Sequence, residues 1–386
     1  MKKILLLNKI AKVGTDVFDR GRYEVNAELT NPDGIMVRSQ KMHDMAFNKE
    51  LKAIARSGAG VNNIPVEKCT EEGIVVFNTP GANANGVKEL AVCALVLAAR
   101  DVVGGIGWAS GLGGEEDVAK AVEKGKGAFV GEELVGKTLG VIGLGAIGGM
   151  VANAANALGM TVIGCDPYIT PKAAWSLAPS IKQAATYEDI FRKCDYITLH
   201  VPATEQTRGM ICEKSLSMMR DGVKIINLAR ADLVNAADLK AAIASKKVAK
   251  YVTDFPTNET LGVEGIIAIP HLGASTFESE DHCAIMAAKQ LDEYLTNGNI
   301  SNSVNFPNVS LPHTSKARVC VMHKNIPNML TQITSAFSGV GINIDNLANG
   351  SKGEVAYTIV EVSEMPEASV LKKVNEIVGV IKTNCY

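Results

Sequence analysis

Through most of the 386 residues, short apolar runs alternate with longer stretches whose apolar positions recur every three or four residues. Runs at Lys3–Leu7, Gly34–Arg38, Leu51–Ala55 and Gly73–Phe77 have the length and composition of buried strands. A helical pattern follows from about Val87 to Val103. Alternation of this kind argues for parallel sheets joined by crossover helices. Positions 104–133 are rich in glycine and charge and read as helix ends and loops leading to a boundary. A second series begins at Lys137, with strands predicted at Thr138–Ile142, Thr161–Cys165, Tyr196–Leu199, Lys224–Asn227, Tyr251–Thr253 and Ile266–Ile269. Helices are expected at Ile147–Leu158, Ala236–Ala244 and Glu278–Thr296, the last stopped by Asn297–Asn299. The polar segment Ser301–Ser315 contains Pro307 and Pro312 and suits a linker. Ala317–Tyr386 then reads β-α-β-β-α-β, with its own apolar face.

Bulk properties remove several function classes. Hydrophobic residues make up 47% and charged residues 21% of the chain, with a net charge of −2. No long-range field attracts nucleic acid or an anionic membrane. Eight scattered cysteines form no C-x-x-C pair and no cluster with histidine, so they read as reduced thiols without a metal. The first apolar run ends at Asn8 and Lys9, too soon for a signal peptide. Leu90–Ala99 is about half the length of a membrane span. The expectation is a cytoplasmic protein.

The strand Thr138–Ile142 runs into Gly143, Gly145 and Gly148 in G-x-G-x-x-G spacing, and a helix opens at Ala146 and Ile147. This is the dinucleotide fingerprint in its proper place: a tight turn, close approach of backbone to a pyrophosphate, and a helix N-terminus aimed at it. The next strand ends at Asp166, which can accept from both ribose hydroxyls and would repel a 2′-phosphate. Pro167 and Tyr168 supply no cation, so the cofactor expected is NAD rather than NADP. Hydride exchange with a 2-hydroxy acid further needs a cation for the carboxylate, an acid/base, and an anion to hold that base. Three later strand ends deliver Arg230, then Asp254 and Glu259, then His271, to one edge of a sheet. His200 is the alternative acid/base, but its strand lies in the cofactor half.

Gly143–Gly148, Asp166, His200–Pro202, Asn227–Arg230, Asp254 with Glu259, and Pro270–Ala274 together resemble the D-isomer-specific 2-hydroxyacid dehydrogenase family over nearly the whole chain. The resemblance implies that Arg230 binds the substrate carboxylate and carbonyl oxygen. It also implies that His271 accepts the proton during oxidation and that Glu259 hydrogen-bonds His271. Thr79, His200, Val201, Pro202, Leu228, Ala229, Arg230, Asp254, His271, Gly273 and Ala274 would surround the cofactor. Two departures stand out: Ala231 follows the catalytic Arg in place of the usual Gly, and Thr260 follows the catalytic Glu in place of Pro.

Val37–Ser39, Ala55–Ile64, Asn78–Asn83 and Asn302–Pro307 are similar to the branch of that family acting on 3-phosphoglycerate. Arg38 and Arg56 each follow a strand, and two guanidinium groups suit a substrate with a phosphate at one end. Ser39, Gly58, Ala59 and Gly60 would complete the substrate set. The implied reaction is NAD-dependent oxidation of 3-phospho-D-glycerate, opening serine synthesis. The alternatives are a hydroxypyruvate or glyoxylate reductase, a 4-phosphoerythronate dehydrogenase, or an NAD-sensing scaffold. The tail resembles an ACT domain. His323, Asn325 and Asn343 match its serine-binding residues, which would hold L-serine between chains of a homodimer or tetramer. Asn328 stands where Gly is usual.

The fold class expected is α/β, with two Rossmann-like, doubly wound parallel-sheet domains and a C-terminal ferredoxin-like βαββαβ ACT domain. The substrate domain is expected at 1–100 with 278–306, the NAD-binding domain at 101–277, a linker at 307–316 and the ACT domain at 317–386.

Overall fold

A computed structural model describes all 386 residues. The chain divides into two compact units, Met1–Asn83 with Phe277–Tyr386, and Ala84–Thr276.

The first unit opens with five strands: β1 (Lys2–Leu7), β2 (Tyr23–Asn26), β3 (Gly34–Val37), β4 (Ala53–Arg56) and β5 (Val75–Phe77). They form one parallel sheet in the order β2-β1-β3-β4-β5. Strands β3, β4 and β5 are short and almost wholly apolar because both faces are covered, whereas edge strand β2 exposes Glu24 and Asn26. Ile35, Val37, Ile54 and Val76 pack on one face, while Ile4, Met36, Ala55 and Phe77 meet the long helix Phe277–Asn297 on the other.

The second unit contains β6 (Thr138–Ile142), β7 (Thr161–Cys165), β8 (Lys182–Gln183), β9 (Tyr196–Leu199), β10 (Val223–Asn227), β11 (Val248–Thr253) and β12 (Ile266–Ala268). All seven are parallel, in the order β12-β11-β10-β9-β6-β7-β8. The winding reverses between β6 and β9, which opens a crevice at their carboxyl ends. Helix Ala84–Ala99 packs on β10, β11 and the glycine-led helix Ala146–Ala157, so it belongs to this unit. It was expected within a first domain reaching residue 100. Positions 102–125 are more helical than their glycines suggest. Asp101 and Asp117 cap helices Val102–Ser110 and Val118–Gly125 by accepting from Gly104 N at 3.2 Å and Lys120 N at 3.0 Å. No single helix in the chain is long and apolar enough to cross a membrane.

The tail, in the first unit, forms β13 (Ala317–Lys324), β14 (Ile344–Lys352), β15 (Val355–Val362) and β16 (Val380–Cys385), an antiparallel sheet ordered β14-β15-β13-β16. This is the βαββαβ arrangement expected. One face packs on its own two helices through Val319, Val321, Ile333, Phe337 and Val360. The other contributes Cys320, Met322, Tyr357 and Ile359 to the core beneath helix Phe277–Asn297. The segment before it is pinned rather than loose. Fully buried Arg318 pairs with fully buried Glu361 and donates to Asn297 O, Asn299 Oδ1 and Leu311 O. Glu361 accepts in turn from the amides of Thr314 and Ser315.

Candidate active site

The crevice at the reversal point holds the glycine turn. Gly143 has φ +90°, a Cβ on Gly148 would lie 1.9 Å from Gly143 O, and a Cβ on Gly145 would meet open space. Each glycine therefore serves a different need: an unusual φ, helix packing, and room for a ligand. The helix beginning at Ala146 and Ile147 has no side-chain cap, leaving its first N–H groups for an anion. A cavity of about 810 Å³ runs from Gly143 and Gly145 past Asp166, Tyr168 and Tyr187 to His200, Val201, Pro202 and Thr204. Asp166 braces its rim by accepting from Leu144 N at 2.8 Å and Tyr168 N at 2.9 Å. A carboxylate has about four lone-pair directions, so both oxygens can still accept from a ribose diol. Chemistry, shape and size all fit a dinucleotide.

His200 shares Nε2 with Thr198 Oγ1 at 2.9 Å, and burial pushes it down to about 4. It stays neutral at physiological pH and lines the cofactor cavity, an unsuitable place for the substrate's base.

The strand ends of β10, β11 and β12 bring Arg230, Asp254 and His271 together. Asn227 organises the first of these loops: its Oδ1 accepts from Ala229 N and Arg230 N, and its Nδ2 donates to Arg230 O and Tyr251 Oη. Leu228 is buried beneath it, and Arg230 Nη1 donates to Ala229 O at 2.6 Å. Asp254 is 1% exposed, accepts from Gly273 N at 3.2 Å, and accepts at its backbone oxygen from His271 N at 3.0 Å. Burial pushes its carboxyl up, against the opposing pull of the Gly273 amide, His271 and Arg230. Its Oδ1 is buried with no partner, an acceptor left unused while Oδ2 takes the Gly273 amide. His271 has φ +31°, a left-handed backbone that places its exposed ring at the mouth of the sheet.

Glu259 does not reach His271. It is exposed, lines a separate cavity of about 400 Å³ with Asp232, Tyr251, Phe255 and Asn258, and makes no hydrogen bond or ion pair with the imidazole. Its turn is set by Thr260, which is buried, donates its N–H to Thr257 O and accepts from Thr257 N. Thr260 closes by hydrogen bonds the turn that Pro closes elsewhere. Ala231 is accommodated for a different reason: it opens the short 3-10 turn Ala231–Leu233, whose backbone needs no glycine.

In the first unit, Arg56 is half-buried, its Nε has no partner, and burial, then Arg38, act to lower its pKa. Its guanidinium lies over Gly58, whose φ is +150°. Arg38 is exposed and already paired with Glu280 at 2.5 Å. Ser39 donates its N–H to Asn8 Oδ1. Asn78 Nδ2 donates to Ala59 O and Thr79 N to Gly58 O, so these loops hold each other, with Gly60 beside them.

The three effector candidates do not share one end of the tail's sheet. His323 pairs with Ala356 near one end of β15, whereas Ile344, next to Asn343, pairs with Val362 at the other. Six to seven residues separate the two levels, about 20 Å at ~3.3 Å per residue. This register keeps the three residues from meeting at a single edge within one chain. His323 is 3% exposed, and both its nitrogens are engaged, with Lys324 O and Thr358 Oγ1 at 2.8 Å each. Asn325 and Asn343 are exposed. Asn328 has φ +69°, which explains its tolerance where glycine is usual.

A Rossmann sheet with a built dinucleotide crevice and an Arg–Asp–His edge defines a nicotinamide-dependent dehydrogenase. The chain belongs to the D-isomer-specific 2-hydroxyacid dehydrogenase family: residues 113–274 match its NAD binding domain. Residues 320–382 match the AHAS small subunit-like ACT domain. Saccharomyces cerevisiae D-3-phosphoglycerate dehydrogenase 1 is 29% identical over 95% of this chain and 83% of its own length. A Schizosaccharomyces pombe relative bearing that enzyme's name provisionally is 31% identical over 80% of this chain and 68% of its own. The NAD+-bound crystal structure of Entamoeba histolytica 3-phosphoglycerate dehydrogenase superposes with a TM-score of 0.59 at 27% identity. It covers 79% of this chain and 98% of that one.

Proposed function

We propose that this chain oxidises 3-phospho-D-glycerate to 3-phosphohydroxypyruvate with NAD, the opening reaction of L-serine synthesis. The observation that carries the substrate choice is Arg56: half-buried, beside Arg38, with an unpartnered Nε. A 2-hydroxy acid without phosphate leaves that cation unused. Names of relatives point the same way.

Gly143, Gly145, Gly148 and the helix start at Ala146 and Ile147 would hold the pyrophosphate, Asp166 the ribose diol, and Asp254 Oδ1 a donor of the nicotinamide. When bound, NAD supplies the hydride acceptor. Arg230 holds the substrate carboxylate and draws charge toward the C2 oxygen as it becomes a carbonyl. His271 takes the hydroxyl proton. Glu259, on an exposed turn, would have to move to hold the imidazolium. Arg56 binds the phosphate, and Arg38 joins it after leaving Glu280.

For the tail, the same reading assigns L-serine as the effector. With Asn325 and Asn343 at opposite ends of one sheet, a shared site needs two chains packed antiparallel about a two-fold axis, in keeping with a homodimer or tetramer. His323, buried and satisfied, braces the loop that carries Asn325. Calorimetry of full-length wild type and Asn343→Ala with L-serine tests this; equal heats would remove Asn343 from the site.

The proposed substrate is tested by kcat/KM for NAD-dependent oxidation of 3-phospho-D-glycerate, D-glycerate, 4-phospho-D-erythronate and D-lactate. 3-Phospho-D-glycerate should lead D-glycerate and D-lactate by about 10- to 150-fold, the worth of a charge-assisted bond to phosphate. Parity with D-glycerate would point to a reductase of small hydroxy acids.

A further inference from the structure

Phe255 follows the buried Asp254 at the end of β11 and is fixed by its own N–H, which donates to Thr253 Oγ1 at 3.0 Å. Its ring centroid lies 4.5 Å from that of His271, with the planes at 42°. The guanidinium carbon of Arg230 lies 5.6 Å from the same ring. One aromatic ring therefore touches both functional side chains, which arrive from two different strand ends. Neither is otherwise well held. Arg230 has one side-chain hydrogen bond, to its neighbour's carbonyl, and Glu259 lies away from His271.

We infer that Phe255 is a positioning residue, its ring holding Arg230 and His271 in register for the substrate. The inference rests on the catalytic reading of those two residues. An aromatic face attracts a guanidinium, and it attracts an imidazole more strongly once that group has taken a proton. The contact with Arg230 exists before reaction; the contact with His271 strengthens as the hydroxyl proton arrives. Phe255 thus offers His271 an anchor that does not depend on Glu259.

The experiment compares wild type, Phe255→Leu and Phe255→Tyr, with Phe255→Met as a second non-aromatic variant should the leucine variant fold poorly. Readouts are kcat and KM for 3-phospho-D-glycerate, Kd for NAD, and the His271 Hε1 proton resonance, assigned with His271→Gln. Leucine should lower kcat about 3- to 30-fold, the range a cation–π contact spans, while Kd for NAD holds within about two-fold. The His271 resonance should move downfield as the ring current is lost. Tyrosine should rescue both signals. Wild-type kcat with leucine or methionine, or an equal loss with tyrosine, would overturn the inference even if His271→Gln is inactive. An active His271→Gln would remove the reading beneath it, and the inference with it.

Discussion

Two pairs of residues look alike in the sequence and differ in the structure. His271 and His323 both sit where a strand ends; Arg56 and Arg318 both belong to apolar strands. His271 is exposed on a left-handed backbone, while His323 is 3% exposed with both nitrogens bound. Arg56 keeps a buried Nε unpartnered, whereas Arg318 spends its guanidinium on Glu361, Asn297, Asn299 and Leu311. The first member of each pair has polar atoms that the fold leaves unused, as the proposed function requires; the second is consumed by folding. What separates them is the number of unmet polar partners, not the residue type or its strand position.

The largest effect should come from the two histidines. His271→Ala should lower kcat about 10²–10⁴-fold, the range of general acid–base catalysis, with little change in Tm. His323→Ala should do the reverse, costing stability through the cavity left by a buried ring and its lost bonds to Lys324 O and Thr358 Oγ1, while leaving kcat near wild type. If His323→Ala abolishes turnover without unfolding the chain, the division between open and committed groups is wrong.

Arg318→Met comes next. It strands the buried Glu361 carboxylate and should cost about 3–5 kcal/mol in a denaturant titration. Arg56→Ala should leave stability nearly unchanged and reduce kcat/KM for 3-phospho-D-glycerate by about 10–150-fold, sparing D-glycerate. Arg38→Ala should lose less, because Glu280 already competes for it.

A pH series is the gentlest probe. Burial lowers the pKa of His200 from 6.5 to about 4 and lowers that of His323 as well. The unfolded chain then binds more protons below the ordinary histidine range, so both groups favour folding most above pH 6.5. Stability should decline as pH falls from there toward 4, and His200→Asn with His323→Asn should flatten the slope.

The parallel sheets were readable because strands buried on both faces are continuous apolar runs. Thr138–Ile142, Thr161–Cys165 and Tyr196–Leu199 have the bounds their pattern predicts. β8 left no such trace: it is two exposed polar residues at a sheet edge. The helices over 102–125 were hidden because glycine lowers helix propensity, while the Asp101 and Asp117 caps that offset it are single residues. Within the site, spacing located Arg230, Asp254 and His271 but could not give Glu259 its orientation or His323 its burial. Asn227 stood inside the quoted run Asn227–Arg230, yet its role in tying that loop depends on hydrogen bonds no pattern shows. Phe255 was passed over because an aromatic after a strand most often reads as core.

The central claim is that the open groups serve a phosphorylated 2-hydroxy acid, and its most direct measurement is NAD reduction by wild type and His271→Ala with 3-phospho-D-glycerate and D-glycerate. The account predicts turnover by wild type with a strong preference for the phosphorylated acid, and near-complete loss with His271→Ala. Equal turnover of both acids, or a His271→Ala variant as active as wild type, would contradict it.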